Sequence, residues 1–337
     1  MNGDNNSTEN LKKPKIRVRF IRCFLIAATA VFLIIAGIVY FNIYLPQGTG
    51  PAGPDVPSEP FDHVWSERKS MLLGIGDSIT DGFGAEDGFG YFERLVKNPK
   101  GDSPDMLGKN LSEVFPNLTT KNIASSGTTS IRHLAEIKLL QRQPEDLFGI
   151  VVMTTGGNDL IHSYGRRPPE EGAMYGASYE QAKPWIDNFQ KRLDEMVSLL
   201  NDTFPGGCHI FLANIYDPSD GTGNTAEWLT GLPAWPDGLK ILDAYNKIIA
   251  ECAENYENVH LVDIHTPFLG HGIHCRKFWI KNYRWNDPTY WYYLNIEDPS
   301  ERGYDAIRRV FLLKMIKVFS EPLNIKPMQT HQQASLF

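Results

Sequence analysis

The stretch Met71-Leu72-Leu73-Gly74-Ile75-Gly76-Asp77-Ser78 decides the fold class of this chain of 337 residues. Its first part is a short apolar run, as in a buried strand, and Ser78 follows where that strand should end. Other short apolar runs recur along the chain. The candidate strands are 71–75, 119–123, 149–154, 208–214 and 259–263. The stretch therefore predicts the first strand of a sheet, followed directly by a polar turn.

The segments between the candidate strands carry apolar residues at steps of three or four, which predicts amphipathic helices. The clearest lies within 179–204, and the same spacing marks 131–141, 239–255 and 300–320, where Ser300 is a plausible N-cap. Strands that alternate with helices predict an α/β fold with a parallel sheet of about five strands, covered on both faces. In such a fold the reactive groups gather beyond the carboxyl ends of the strands.

Ser78, Gly127 and Asn158 each lie just past a candidate strand. A serine hydroxyl can act as a nucleophile, while a backbone amide and an asparagine side chain can stabilise an oxyanion. Each residue also has a structural interpretation, as an N-cap serine, a turn glycine with positive φ and a turn asparagine. Their order and their shared position at strand ends favour the catalytic interpretation.

These three residues stand in the motifs Gly76-Asp77-Ser78-Ile79, Asn122-Ile123-Ala124-Ser125-Ser126-Gly127 and Gly156-Gly157-Asn158-Asp159. The motifs resemble those of the SGNH/GDSL hydrolase family, and the resemblance covers about residues 69–320. It implies a flavodoxin-like three-layer α/β/α sandwich and an ester hydrolase, for which we expect no cofactor. It also implies that Ser78 is the nucleophile. The oxyanion hole would then consist of the amides of Ser78 and Gly127 and the side chain of Asn158.

The proton acceptor departs from the family's pattern. The family's last block is usually Asp-x-x-His-Pro, and the matching stretch here is Asn295-Ile296-Glu297-Asp298-Pro299. This alignment puts Asp298 at the histidine position and Asn295 at the aspartate position. A second stretch, His271-Gly272-Ile273-His274, resembles the Asp-Gly-x-His form of the block and follows the last candidate strand. We expect His274 to be the general base, because imidazole is matched to neutral pH.

In this interpretation Asp298 orients His274, and Asp263 is the other candidate for that role. His265, His271 and a carboxylate acting alone are the alternatives for the base. The structural interpretation of the block is that its histidines hold the following insertion together. With His260 and Cys275 these histidines also suggest a metal site. Their spacing matches no common zinc framework, so we expect no metal.

The insertion 276–294 is rich in aromatic residues. Aromatic side chains over a catalytic mouth are suited to stacking on a sugar or enclosing an acyl group. They can equally form a small satellite core that lets a long loop fold, and we expect this to be their main role.

The N-terminal region predicts a membrane segment. No charged residue occurs from Cys23 to Phe41, and six basic residues precede this run. The length suits an uncleaved transmembrane signal-anchor, and the basic flank predicts a cytoplasmic N-terminus with an extracytoplasmic catalytic domain, periplasmic in a Gram-negative host. The predicted organisation is a basic tail (1–22), a transmembrane helix (23–45), a Pro/Gly-rich linker (46–68), the hydrolase-like domain (69–320) and a polar tail (321–337).

The net charge of the chain is −7, and the first 22 residues carry +4, so the remainder carries −7 − 4 = −11. So acidic a body argues against nucleic acid as a partner. We expect an exported serine esterase that contacts the bilayer through its N-terminal helix. Its substrate would be a small-molecule or glycan ester, for example an O-acetyl group on a glycan. The alternatives are an O-acyltransferase acting on an exported glycan and an inactive glycan-binding module. The oligomeric state stays open, as does the pairing of Cys208, Cys252 and Cys275.

Overall fold

The computed structural model describes residues 13–40, 47–225 and 230–320, and the chain divides into two compact units at the boundary between Gly48 and Thr49. In the first unit, helix α1 (Lys13–Val39) contains a stretch, Phe20–Ile38, that is long and apolar enough to cross a bilayer. Length and composition fit a membrane anchor and a signal sequence alike. The predicted tail 321–337 and the first twelve residues of the predicted tail 1–22 lie outside the described residues, while the rest of the latter belongs to α1.

The second unit is built on a sheet of five parallel strands. The strands are β1 (Ser70–Ile75), β2 (Leu118–Asn122), β3 (Phe148–Met153), β4 (Cys208–Ala213) and β5 (Val259–Val262). Their order in the sheet is β2-β1-β3-β4-β5, and every neighbouring pair is parallel. This is the flavodoxin-like order, so the predicted fold class is confirmed and each strand lies within a residue or two of its predicted range.

Helices cover both faces of the sheet. In chain order they are α2 (Ser78–Asp81), α3 (Tyr91–Val96), α4 (Leu111–Val114), α5 (Ser130–Ile137), α6 (Gly157–Ile161), α7 (Tyr179–Thr203), α8 (Gly238–Asn255), α9 (His265–Phe268) and α10 (Glu301–Phe319). Successive strand residues point to opposite faces. Leu73 therefore packs into a core with α7 and α8, while Leu72 packs into a second core with α3 and α10.

The structure corrects the predicted linker, 46–68. Ala52 and Val56 are buried in the core beneath α10. The Ala52 amide donates to the Asp305 carboxylate (3.3 Å), and the Lys109 ammonium donates to the Val56 carbonyl (2.6 Å). The Pro/Gly-rich segment is thus packed against the domain, because its few apolar side chains are buried in the core. The second unit begins at Thr49 and not at the predicted residue 69.

The cysteines of the second unit are free thiols. Cys208, Cys252 and Cys275 are each buried, and no disulfide forms among the described residues. Burial raises the pKa of each of these thiols above its ordinary value. The fold of this unit therefore depends on its two apolar cores.

Candidate active site

The turn that carries Ser78 is fixed by Gly76 and Asp77. Gly76 has a φ of +146°, and a Cβ at this position would lie 2.3 Å from the Thr154 hydroxyl oxygen, so a side chain is excluded. The Asp77 carboxylate caps α2 by accepting from the Ile79 amide (3.1 Å) and also accepts from the Thr154 hydroxyl (2.9 Å). Asp77 therefore fills the N-cap role that sequence alone offered to Ser78, and Ser78 opens the helix without capping it.

Gly127 lies in a loop that is tied to the Ser78 turn. The Ser125 amide donates to the Gly76 carbonyl (3.0 Å), and the Ser126 amide and hydroxyl both donate to the Asp81 carboxylate, at the end of α2. Gly127 itself has a φ of +78°, a conformation that favours glycine. The loop after β2 is thus held against the turn that carries Ser78.

Asn158 joins this assembly from the third strand. It lies in α6, lines a cavity together with Ser78, and donates a side-chain hydrogen to the Thr128 carbonyl (2.9 Å). An asparagine amide carries two hydrogens, so one remains for a ligand. Sequence did not predict His133, which is fully buried between the hydroxyls of Thr128 and Thr155 (2.9 Å to each). Burial lowers the pKa of His133 to about 4, so it supports the loop as a neutral ring.

The acidic residue of the last family block that faces the same space as Ser78 is Asp298. Both residues lie in the wall of one cavity, and Asp298 is 3% exposed. The Asn295 side-chain amide donates to the Asp298 carboxylate (2.6 Å), and the Asp298 amide donates back to the Asn295 side chain (3.2 Å). Burial raises the pKa of Asp298, while the hydrogen bonds from Ser78 and Asn295 oppose that rise. Ser78, Asp298 and Asn295 are thus three neighbouring polar residues of the site.

A cavity of about 160 Å³ opens beside Ser78 and Asp298. Ser78, Asn158 and Asp298 lie in its wall. The rest of the wall is predominantly apolar and is drawn from four parts of the chain. Its aliphatic and aromatic members are Ile79, Leu160, Ile161, Tyr164, Tyr175, Ile215, Tyr216, Leu232, Trp235, Leu239, Leu242, Ile273 and Ile296. The candidate nucleophile Ser78, the candidate oxyanion donor Asn158 and an apolar pocket therefore share one space.

The sequence profile of the GDSL-like lipase/acylhydrolase family matches residues 75–306, which contain every part of this site. The chain belongs to that family. It is accordingly an ester hydrolase of the GDSL type, as the sequence analysis predicted. A search of curated protein sequences found no match.

The solved structures that are similar to this chain include a lipolytic protein, an esterase and a lipase. A lipolytic G-D-S-L family protein from Veillonella parvula is 16% identical, with a TM-score of 0.42, and the match covers 75% of this chain and 99% of that one. The acetylxylan esterase Axe2 from Geobacillus stearothermophilus is 19% identical (TM-score 0.46; 74% and 96% covered). An extracellular lipase from Streptomyces rimosus is 16% identical (TM-score 0.46; 73% and 99% covered).

The structure does not bring His274 to Ser78 in this GDSL-like enzyme. The His274 ring is buried, and its Nε2 donates to the Asn224 carbonyl (2.8 Å). The backbone around it wraps the Asp220 carboxylate, which accepts from the amides of Gly270, Gly272 and His274. His274 therefore holds a turn together, as in its structural interpretation, and no histidine lines the cavity within residues 47–225 and 230–320.

The other candidates for the base have structural partners as well. His271 stacks on Trp291 with ring centroids 3.5 Å apart and bonds to the Thr289 carbonyl (2.9 Å). His265 bonds to the Ile215 carbonyl (2.8 Å). Asp263 accepts from Asn214 (2.8 Å) and not from a histidine. The histidines expected near Ser78 are thus used to shape the chain beyond β5.

Glu297, which the sequence analysis did not single out, lies in the cavity wall beside Asp298. Burial, together with the negative charges of Asp298 and Asp77, raises the pKa of Glu297 to about 7. Burial also raises the pKa of Asp77 to about 6. The only signal for Glu297 was its place next to Asp298 in the last family block. Across the described part of the chain, no group of three or more His, Cys, Asp or Glu side chains is arranged to hold a metal.

Proposed function

We propose that this chain is an exported, membrane-anchored serine esterase in which Ser78 is the nucleophile and Asp298 accepts its proton. One observation carries the proposal: Asp298 lies with Ser78 in the wall of one cavity, where the Ser78 side chain lowers the pKa of its carboxyl, and Asp298 is itself held by Asn295. A serine hydroxyl is a weak nucleophile until a positioned base takes its proton. Asp298 is the carboxylate that shares the cavity wall with Ser78 and interacts with its side chain, which supports it as that base.

The pairing of Asp298 with Asn295 has a chemical logic. A histidine base needs an acceptor behind it, because its second ring nitrogen carries a hydrogen, and the family's aspartate supplies one. A carboxylate base needs the opposite, a donor that orients it without taking its negative charge. The asparagine amide is such a donor. The two departures from the family's last block therefore compensate for each other.

The electrostatic surroundings strengthen Asp298 as a base. An exposed aspartate has a pKa near 3.9 and attracts a proton weakly. Burial raises the pKa of Asp298 above that value, which increases its affinity for the Ser78 proton. Asp298 must be ionised to act, so activity is present above its pKa and is lost as the pH falls through it.

The proposed reaction follows from these positions. The Ser78 hydroxyl oxygen attacks the ester carbonyl as its proton passes to Asp298. The resulting oxyanion accepts from the amides of Ser78 and Gly127 and from the Asn158 side chain. Collapse of the intermediate expels the alcohol, which takes the proton from Asp298, and water then cleaves the acyl-enzyme by the same steps in reverse.

The cavity favours an acyl group of several carbons over an acetyl group. Its volume is about 160 Å³ and its wall is mainly apolar. An apolar cavity of about 150 Å³ accommodates benzene, so this one has room for about six carbons. O-acetyl glycans, considered in the sequence analysis, would leave most of it unfilled.

The anchor rests on α1, whose stretch Phe20–Ile38 suits a bilayer span. The basic residues before it support a cytoplasmic N-terminus, which places the catalytic unit outside the cytoplasm. A reporter fused after residue 60 should then be active only outside the cytoplasm. A mature N-terminus found near residue 46 would replace the anchor by a cleaved signal.

The nucleophile is tested with Ser78→Ala in the full-length protein. We expect this variant to lose hydrolysis of p-nitrophenyl hexanoate and labelling by a fluorophosphonate, with an unchanged melting temperature. The matched control is Ser112→Ala, which removes an exposed hydroxyl in α4 that bonds to the Val96 carbonyl. Normal turnover by Ser78→Ala would exclude the proposed chemistry.

The acyl preference is tested separately by comparing p-nitrophenyl hexanoate with p-nitrophenyl acetate. Four more methylenes at about 0.8 kcal/mol each should raise kcat/KM roughly 10²-fold. Leu239→Trp, which fills part of the cavity wall, should reduce hexanoate turnover and leave acetate turnover nearly unchanged. Preference for acetate in the wild type would favour the acetyl esterase alternative. Ester product formed with a sugar acceptor in place of acid would favour acyl transfer.

A further inference from the structure

The insertion after His274 exposes three large aromatic side chains. Phe278, Trp279 and Trp285 are 73%, 69% and 82% exposed. Other aromatic residues of the same insertion are buried, among them Trp291 and Tyr292, at 3% and 2% exposed. The expected satellite core thus exists without the three exposed rings. Exposed aromatic clusters of this kind are costly in water and are typical of interaction surfaces.

Basic residues alternate with these aromatic residues. Residues 276–285 contain Arg276, Lys277, Lys281 and Arg284 and no acidic residue, although the body of the chain carries −11. None of the four cations forms an ion pair with a carboxylate in residues 47–225 and 230–320. The segment is therefore locally cationic and aromatic on an acidic protein.

The segment is held in a fixed form by a series of turns. The Lys277 amide donates to the His274 carbonyl (2.8 Å), and the Ile280 amide donates to the Lys277 carbonyl (3.1 Å). The Asn282 side chain donates to the Asp220 carbonyl (2.9 Å), and the Arg284 guanidinium donates to the Leu269 carbonyl (3.0 Å). These contacts anchor 276–285 to the frame of the domain, while its three large rings stay exposed together with Arg276 and Lys281.

We propose that residues 276–285 form a membrane-docking patch that lies on an anionic lipid leaflet. Tryptophan is enriched at the level of the lipid headgroups, and lysine and arginine are attracted to anionic lipids. The inference rests on the proposed anchoring through α1. Ten residues lead from Val39, the end of α1, to Thr49. Such a stretch spans about 35 Å at most when fully extended, so the anchor keeps the domain within reach of the leaflet.

Docking of this patch connects the bilayer with the cavity. The patch begins three residues after Ile273, and the chain that leaves it reaches Ile296, Glu297 and Asp298. All four of these residues line the cavity beside Ser78. The docked segment is thus continuous in sequence, on both sides, with residues of the cavity wall. An ester with an apolar acyl group that is dissolved in the leaflet would meet the enzyme at this segment.

The experiment uses the full-length protein in nanodiscs that contain phosphatidylglycerol with brominated acyl chains, which quench tryptophan on contact. Residues 1–48 contain no tryptophan, so quenching reports on the second unit alone. We expect quenching of the wild type, loss of most of it in Trp279→Phe/Trp285→Phe, and full retention in the control Trp185→Phe, which removes a half-buried ring of α7. No quenching of the wild type would overturn the proposal.

The charge requirement is tested with Arg276→Gln/Lys277→Gln/Lys281→Gln, which spares the structural Arg284. This triple variant should lose most of the quenching. The control Lys183→Gln/Lys191→Gln/Lys247→Gln removes three exposed charges from α7 and α8 and should keep it. Equal quenching in both triple variants, or in discs of brominated phosphatidylcholine alone, would overturn the anionic leaflet as partner. Incorporation into the discs reports on the anchor by itself, so failure of the anchor is distinguished from failure of the patch.

Discussion

The region around the ends of β1, β2 and β3 and the region after β5 contribute to the same site in different ways. The first supplies Ser78, Gly127 and Asn158 from short loops that are bonded to one another, through Gly76, Asp81 and Thr128. The second supplies Asp298 from the far end of a long insertion. In the first region backbone geometry favours glycine at positions 76 and 127, where φ is positive. In the second region, the identity of the side chains alone did not reveal which of them lies near Ser78.

The contrast between the two regions is sharpest at Asp298. Asp298→Asn keeps the size and polarity of the side chain but cannot accept the Ser78 proton at neutral pH. We expect kcat/KM to fall by about 10⁴-fold, the upper end of what a positioned base contributes. The melting temperature should hold or rise, because the variant removes a buried carboxyl whose pKa burial raises. A fall of less than tenfold in steady-state assays would remove Asp298 from the mechanism.

A smaller loss is expected at Asn158, in the first region. Asn158→Ala removes one oxyanion donor and should lower kcat by roughly 10²–10³-fold with little change in KM. The substitution also frees the Thr128 carbonyl, so its control is Thr128→Val. That control loosens the same loop by removing a hydroxyl that bonds to Ser125 and His133. Equal losses in the two variants would mean that Asn158 acts only by holding the loop.

The smallest effect on activity is expected at His274. His274→Ala removes the hydrogen bond that the ring donates to the Asn224 carbonyl. This should reduce the free energy of unfolding by about 1–3 kcal/mol. At a temperature where the variant is fully folded, its kcat/KM should change only a few-fold. His274→Gln, which keeps a donor of similar reach, should recover part of the stability in chemical denaturation. Loss of activity as great as in Asp298→Asn, in a protein of normal stability, would restore His274 to the active site.

The sequence was sufficient for the sheet and for the first region of the site. The run 147–153, for example, is apolar throughout and lies between Asp146 and Thr154. Several such runs in alternation with helices predict a buried parallel sheet. Ser78, Gly127 and Asn158 could be grouped because strand ends in such a sheet converge. To predict this convergence it is enough to know the order of strands and helices along the chain, because parallel strands of one sheet end at the same edge.

The sequence was insufficient where the outcome depends on which contacts a long segment makes. His274 comes after the last strand along the chain, which favoured it as the base, but its ring bonds to the Asn224 carbonyl on the segment before α8. The predicted linker 46–68 has the composition of a tether, yet Ala52 and Val56 are buried against α10. The cations of 276–285 were overlooked because the charge of the body was considered only as a total. The contacts made in space by each of these segments lie outside what local composition encodes.

The central claim, that Asp298 and Asn295 together replace the family's His and Asp, is tested most directly by restoring the family pattern. The measurement is the pH dependence of kcat/KM for the wild type and for Asn295→Asp/Asp298→His. The account predicts that the double variant is active, unlike Asp298→Asn, and that its rising limb moves to the ionisation of imidazole, near pH 6.5. The wild-type limb should lie on the acid side of it, because a carboxylate loses its proton there. A wild-type profile that already follows imidazole, with an inactive double variant, would contradict the account and assign the base to a histidine.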